Sequence, residues 1–221
     1  MPRGLASSGS KAGSRGERPT FLHEERFWQA GYSRIAGLDE VGRGALAGPV
    51  VAAACVFAPG TCLPDIFADS KQLTPVQRRR LAEWIRAHAQ AWALGAASHR
   101  EVDRYGIVFA TALAMRRALA RIGPVDHVFY DGTPLPGFDR SSATPIVRGD
   151  RCCASIAAAS VLAKVVRDDL MARVGARFPG YGWAENAGYG TFQHRAMLER
   201  LGPTRLHRRS FRLGIEEDSC E

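Results

Sequence analysis

A chain of 221 residues, 46% hydrophobic and 24% charged, is long enough for one good-sized α/β domain and too apolar for a disordered protein. Thirty Lys and Arg against 22 Asp and Glu leave a formal charge of +8, which favours polyanionic partners, most simply nucleic acid. No apolar run approaches membrane-spanning length, and five cysteines without C-x-x-C or zinc spacing point to free thiols in a reducing cytoplasm.

Residues 1–25 are rich in Ser, Gly and basic side chains and read as a disordered basic tail. Residues 34–38 then make a first strand, which runs into Asp39-Glu40 and Val41-Gly42-Arg43-Gly44. A second apolar strand covers 49–57, and a Pro- and Gly-containing loop leads to Asp69-Ser70-Lys71. Thr74 as N-cap, Pro75 at the first helical position and Gln77 three residues on from Thr74 form a capping box. The helix that follows carries Leu81, Trp84, Ile85 and His88 on one face. A third strand spans 92–97. Ser98 with Glu101 opens a short helical turn, and apolar spacing predicts a helix over 107–122 that stops at Gly123-Pro124. A fourth strand over 125–130 delivers Asp131-Gly132, and a short fifth over 144–147 ends near Gly149-Asp150. A long Ala-rich helix over 152–174 and a smaller one over 191–201 follow.

The order predicts a mixed sheet with helices on its faces. Three of its strands end on acids, and ligands of open α/β sheets bind beyond the carboxyl ends of strands. If those strands run parallel and adjacent, Asp39, Glu40, Asp131 and Asp150 converge. Four carboxylates that close cannot all stay ionised without cations, and hard oxygen donors select Mg²⁺ or Mn²⁺ over zinc. Two such ions about 3.5–4 Å apart are the usual device for cutting a phosphodiester. Plainer readings stand beside these. Asp39-Glu40 suits an exposed turn, Asp131 before Gly132 suits a turn former, and Asp150 suits a helix cap. Lys164 and Asp168 stand four apart as a helical ion pair, and Asp168 is the substitute if Asp150 is not the fourth acid. Six Arg against one Glu over 195–212 form a basic stretch for duplex backbone, or a solvated basic segment.

Asp39-Glu40-Val41-Gly42-Arg43-Gly44 with Leu46-Ala47-Gly48-Pro49 resembles the opening signature of the prokaryotic ribonuclease HII family, the type 2 ribonucleases H. The similarity continues through Asp69-Ser70-Lys71, Asp131-Gly132, the Ser155–Ser160 run with Ala163-Lys164-Val165, Gly188-Tyr189-Gly190-Thr191, and His207-Arg208-Arg209-Ser210-Phe211. It implies a ribonuclease H-like five-stranded mixed sheet flanked by helices over 26–175 and a helical substrate-binding extension over 176–214; outside it, residues 215–221 read as an acidic tail. It implies a monomeric endonuclease that cuts the RNA strand of RNA–DNA hybrids and incises at single ribonucleotides in duplex DNA, leaving 3′-hydroxyl and 5′-phosphate ends. It also implies metal ligation by Asp39, Glu40, Asp131 and Asp150.

Such an enzyme must read a 2′-hydroxyl, the group that separates RNA from DNA. Gly42, Arg43 and Gly44 suit that task because peptide groups with little side-chain bulk approach a sugar closely. The resemblance gives them the 2′-hydroxyl, and it gives Tyr189 the sugar at the junction with DNA. Ser70 and Lys71, just before a helix, suit a backbone phosphate. The small residues from Ser155 to Ser160 let the long helix pack close to the sheet, a structural role. Three departures from the family pattern stand out: Ala45 for a common Pro, Thr133 for a frequent Asn, and the stretch from Trp183 to Ala187 for a more basic approach to Gly188. Two rivals remain: a DNA endonuclease or resolvase with the same metal chemistry, and a nucleic-acid-binding protein without turnover. The absence of G-x-x-x-x-G-K-[ST] argues against an ATPase.

Overall fold

The computed structural model describes residues 18–67 and 73–214. Its centre is a five-stranded sheet in the order β3-β2-β1-β4-β5, with β1 Ile35–Val41, β2 Val50–Val56, β3 Ala91–Ala97, β4 His127–Asp131 and β5 Ala143–Ile146. β1, β2 and β3 pair antiparallel, whereas β1, β4 and β5 run parallel. The convergence that the acids require is therefore met: the strands bearing Asp39-Glu40 and Asp131 are parallel neighbours at the middle of the sheet.

Alternation sets the layers. Along β2 every residue is buried, with Val50, Ala52, Ala54 and Val56 in one core cluster and Ala53 and Cys55 in the other. The first cluster is covered by α3 (His99–Arg121), the second by α2 (Pro75–His88) and α5 (Ala154–Gly175). Both sequence-predicted capping boxes form, Thr74 with Gln77 and Ser98 with Glu101. The short turn and the helix expected on either side of Gly106 are one element broken there, at φ 76° and ψ 162°.

Close approach decides where α5 lies. A Cβ on Gly37 would stand 2.1 Å from the Ser155 backbone carbon, so the helix rests directly on the middle of β1. The alanines of the first turns of α5 permit the same closeness from the other side. Asp39, two residues along the same face of β1, is thereby turned toward α5.

Two boundaries need correction. Residues 18–25 are not tail: α1 (Leu22–Gln29) starts before residue 26, and Thr20 bridges to Cys153. Glu24 is buried, and its Oε1 accepts from Ser155 N at 2.8 Å, Ser155 Oγ at 2.7 Å and Cys153 Sγ at 3.2 Å. Cys153 offers α5 no side-chain cap of its own, so Glu24 caps that helix from 131 residues away. Second, β1 does not stop at residue 38 but continues through Val41, because Asp39 and Glu40 stay paired with Ala53 and Ala52 of β2.

Beyond α5 the chain folds back as α6 (Trp183–Asn186) and α7 (Phe192–Leu201) around a small core of Tyr181, Trp183, Ala187 and Leu198. Isolated bridges, Ala45 to Tyr189 and Ala47 to His207, tie this segment to the loop after β1. No helix among the described residues is long and apolar enough to cross a membrane.

Candidate active site

A cleft of about 310 Å³ opens beyond the carboxyl ends of β1 and β4, lined by Asp39, Glu40, Val41, Asp131, Ser160, Lys164 and Tyr189. A larger groove of about 840 Å³ lies against α3, but its wall is mostly apolar and shares no residue with the acidic cleft.

Asp39 is only 5% exposed. Burial pushes its carboxyl well above the ordinary range, and the charges of Glu40 and Asp131 push it further. Hydrogen bonds from the Ser160 side chain and the Glu40 N–H (2.8 Å) oppose that rise. Glu40 is also raised, chiefly by burial, although Arg43 at 3.4 Å pulls the other way. Asp131 Oδ1 accepts from Gly149 N at 2.7 Å. Three acids thus share one small space and repel.

The fourth expected acid is not on the cleft wall with these three. Asp150 is 3% exposed, in α4 (Gly149–Cys152), a helical turn absent from the sequence reading. Gly149 links the two, since its N–H holds Asp131. Asp168 is drawn to Lys164 Nζ at 2.8 Å. Among the described residues, no three His, Cys, Asp or Glu side chains are gathered closely enough to chelate an ion as they stand. The donor set nonetheless fits a hard divalent cation, being all carboxylate, largely buried, and strained by its own charge.

The residues expected to read the sugar come together at the rim. Gly42 N–H donates to the Tyr189 hydroxyl at 3.1 Å. Ser70 and Lys71 lie outside the described residues. Of the Arg-rich stretch, Arg208 is fully buried, so that part of the expected backbone-binding surface is corrected. Its guanidinium holds Gly48 O at 3.0 Å and Arg43 O at 2.8 Å.

Sequence reasoning missed Ser160 and Lys164 as cleft residues, having given the small-residue run a packing role only. Their signal was there: two polar side chains four apart, on one face of the helix. It also missed the network behind Tyr189. Trp183 Nε1–H donates to His194 Nε2 at 3.1 Å, and His194 Nδ1 meets Tyr189 O at 2.9 Å. His207 Nε2 lies 3.0 Å from His194 Nε2, and its Nδ1 takes Thr204 N–H at 2.8 Å. With both rings neutral, His194 protonated on Nδ1 and His207 on Nε2, each contact has a donor, and Trp183 and His207 share the single Nε2 lone pair of His194. Burial, reinforced by His194, pushes His207 down to about 4.

A family profile described as Ribonuclease HII matches residues 36–213. The chain belongs to the ribonuclease HII family. Ribonuclease HII of Synechococcus sp. (strain JA-3-3Ab) is 51% identical over 197 residues, 88% of each chain. That of Moorella thermoacetica is 50% identical over 206 residues, 92% of this chain and 98% of its own. Among solved structures, the ribonuclease H2 of Pyrococcus horikoshii OT3 superposes with a TM-score of 0.69 at 23% identity, covering 81% of this chain and 94% of that one. Bst-RNase HIII in complex with Mn²⁺ superposes with a TM-score of 0.61 at 18% identity, covering 82% and 68%. The ribonuclease H-like fold is thus established, and the chain is a metal-dependent endoribonuclease of the type 2 ribonuclease H class.

Proposed function

We propose that this chain cuts the RNA strand of RNA–DNA hybrids, and incises duplex DNA at single ribonucleotides, in the cleft formed by Asp39, Glu40 and Asp131. The observation that carries this reading is the meeting of those acids beyond parallel strands, with the carboxyl of Asp39 held far above its usual range. Asp39, Glu40, Asp131 and Asp150 would hold Mg²⁺ or Mn²⁺. Asp150 is preferred to Asp168 because it is buried one residue from the Gly149 that anchors Asp131, whereas Asp168 answers Lys164. Ions held there would supply Lewis acidity for activating a water and positive charge to offset that on the scissile phosphate.

The chain's own groups do the rest. Ser160 and the Glu40 N–H orient Asp39. The peptides of Gly42, Arg43 and Gly44 offer hydrogen bonds to a 2′-hydroxyl, and Tyr189 packs on the neighbouring sugar. Ser70 and Lys71 take a phosphate farther along. All these groups come from one chain, so a monomer suffices. Cys55, Cys62 and Cys153, which form no disulfide, suit the cytoplasm.

The test is cleavage of three duplexes, an RNA–DNA hybrid, DNA with one ribonucleotide, and all-DNA, by wild type and Asp39→Asn with Mg²⁺ or Mn²⁺. The expected result is cutting of the first two by wild type alone, on the 5′ side of a ribose, with 3′-hydroxyl ends. Equal cutting of all-DNA duplex overturns the reading.

A further inference from the structure

Arg167 lies on α5, entirely shielded from solvent. Burying a guanidinium without a carboxylate against it is costly, and here backbone oxygens take the carboxylate's place. Nε donates to Pro49 O at 2.9 Å, Nη1 to Ala187 O at 2.8 Å, and Nη2 to Ala47 O at 3.2 Å. Two of those carbonyls belong to the segment after the Gly42–Gly44 loop, and the third lies two residues before Tyr189. The same guanidinium sits over the Tyr189 ring, 5.3 Å from its centroid. It also fills the space at Gly42, where a Cβ would come within 2.1 Å of Nε at a φ of +95°. Arg208 grips the loop from the far side through Arg43 O and Gly48 O.

We infer that Arg167 is a positioning residue for ribose recognition. It fixes the gap between the Gly42–Gly44 peptides and the Tyr189 ring, and Arg208 supports the loop end of that gap. This rests on the reading that the loop and Tyr189 contact the sugars. A planar fork bound to three carbonyls holds two separate segments in one register, which neither a lysine nor an apolar side chain can do. A sugar that must fit between peptide and ring feels a change in that register, whereas Asp39 is held by Ser160 and the Glu40 N–H, and Asp131 by the Gly149 N–H. Loss of Arg167 therefore reduces selectivity before it reduces chemistry.

The experiment compares wild type, Arg167→Met, Tyr189→Ala and the double variant. For each, kcat and KM are measured on duplex DNA with one ribonucleotide and on a continuous RNA–DNA hybrid, alongside thermal unfolding. Arg167→Met is expected to lower kcat/KM on the single-ribonucleotide duplex by about 10–100-fold, the scale of a misplaced reactive group. The fall on the hybrid should be at least several-fold smaller, and Arg167→Met should cost little more once Tyr189 is gone. An equal fall on both substrates, or full additivity with Tyr189→Ala, assigns Arg167 to stability alone and overturns the inference. If Tyr189→Ala itself leaves both substrates untouched, the sugar-contact reading fails and takes the inference with it. Should Arg167→Met not fold, Arg167→Lys keeps charge and stem but gives up the fork, and the same comparison decides.

Discussion

Removing one charge from the acidic cleft should make the metal-free protein more stable while abolishing its activity. Asp39→Asn is the cleanest perturbation, because an asparagine oxygen can still accept the Glu40 N–H that now lies 2.8 Å from Asp39. Like charges within the ~4–6 Å that shift carboxyls interact by roughly 3–4 kcal/mol at an effective dielectric of ~20. The upward shift of the Asp39 carboxyl eases part of this, and relief of its burial, the largest cause of that shift, adds to what the substitution recovers. The expected gain in EDTA is therefore about 1–3 kcal/mol, or roughly 2–12 °C in Tm for a chain of this size. The sign follows from linkage. Folded-state values for Asp39 and Glu40 are raised, so the metal-free wild type loses stability as pH rises through them, and the variant loses less. Differential scanning fluorimetry in EDTA and then in rising Mn²⁺ reads both effects, and wild type should gain more from the ion. A lower Tm for Asp39→Asn in EDTA, with equal gains from Mn²⁺, would refute the picture of a repelling cleft that a cation relaxes.

Three further outcomes are expected. His207 is depressed from 6.5 to about 4, so its contribution is present above pH 6.5 and lost as pH falls toward 4. Between pH 7 and 5 that amounts to about 2 kcal/mol. Urea unfolding at the two pH values should show a smaller loss in His207→Gln than in wild type, and equal losses would count against a neutral buried pair. Gly37→Ala forces a Cβ into the Ser155 backbone and should destabilise by about 3 kcal/mol, with weaker Mn²⁺ binding by calorimetry as α5 lifts Ser160 from Asp39. Unchanged metal affinity would show that the helix seat and the cleft are independent. Glu24→Ala removes the cap of α5 and leaves Ser155 N–H unpaired in the interior, at a cost of about 2–3 kcal/mol. A change below ~0.5 kcal/mol in chemical denaturation would mean that another group caps the helix.

Much of the site was legible because its signals are local. An acidic pair after an apolar run, Asp-Gly after a second one, and capping boxes at Thr74 and Ser98 are each contained in a few residues. Parallel adjacency of β1 and β4 was a conditional expectation from element order, and the sheet meets it. What could not be read depends on long-range contact. Glu24 looks like one more charge in a polar leader until Ser155, 131 residues on, is placed beside it. Arg208 and His207 sit in what reads as a basic stretch, yet both are interior because the chain folds back over the loop after β1. Ser160 differs from its small neighbours only by facing Asp39. Asp150 was read at a strand end, and a short helical turn holds it instead.

The central strand has a temporal consequence. β1 meets β2 within a few residues, but its other edge stays bare until His127–Asp131 arrives, and α5 comes later still. Pairings this distant in the chain form slowly, and they form late during synthesis. A nascent polypeptide on the ribosome thus exposes Asp39 and Glu40 long before their partners exist. The acidic cleft is complete only once β4 has paired with β1 and brought Asp131 beside them.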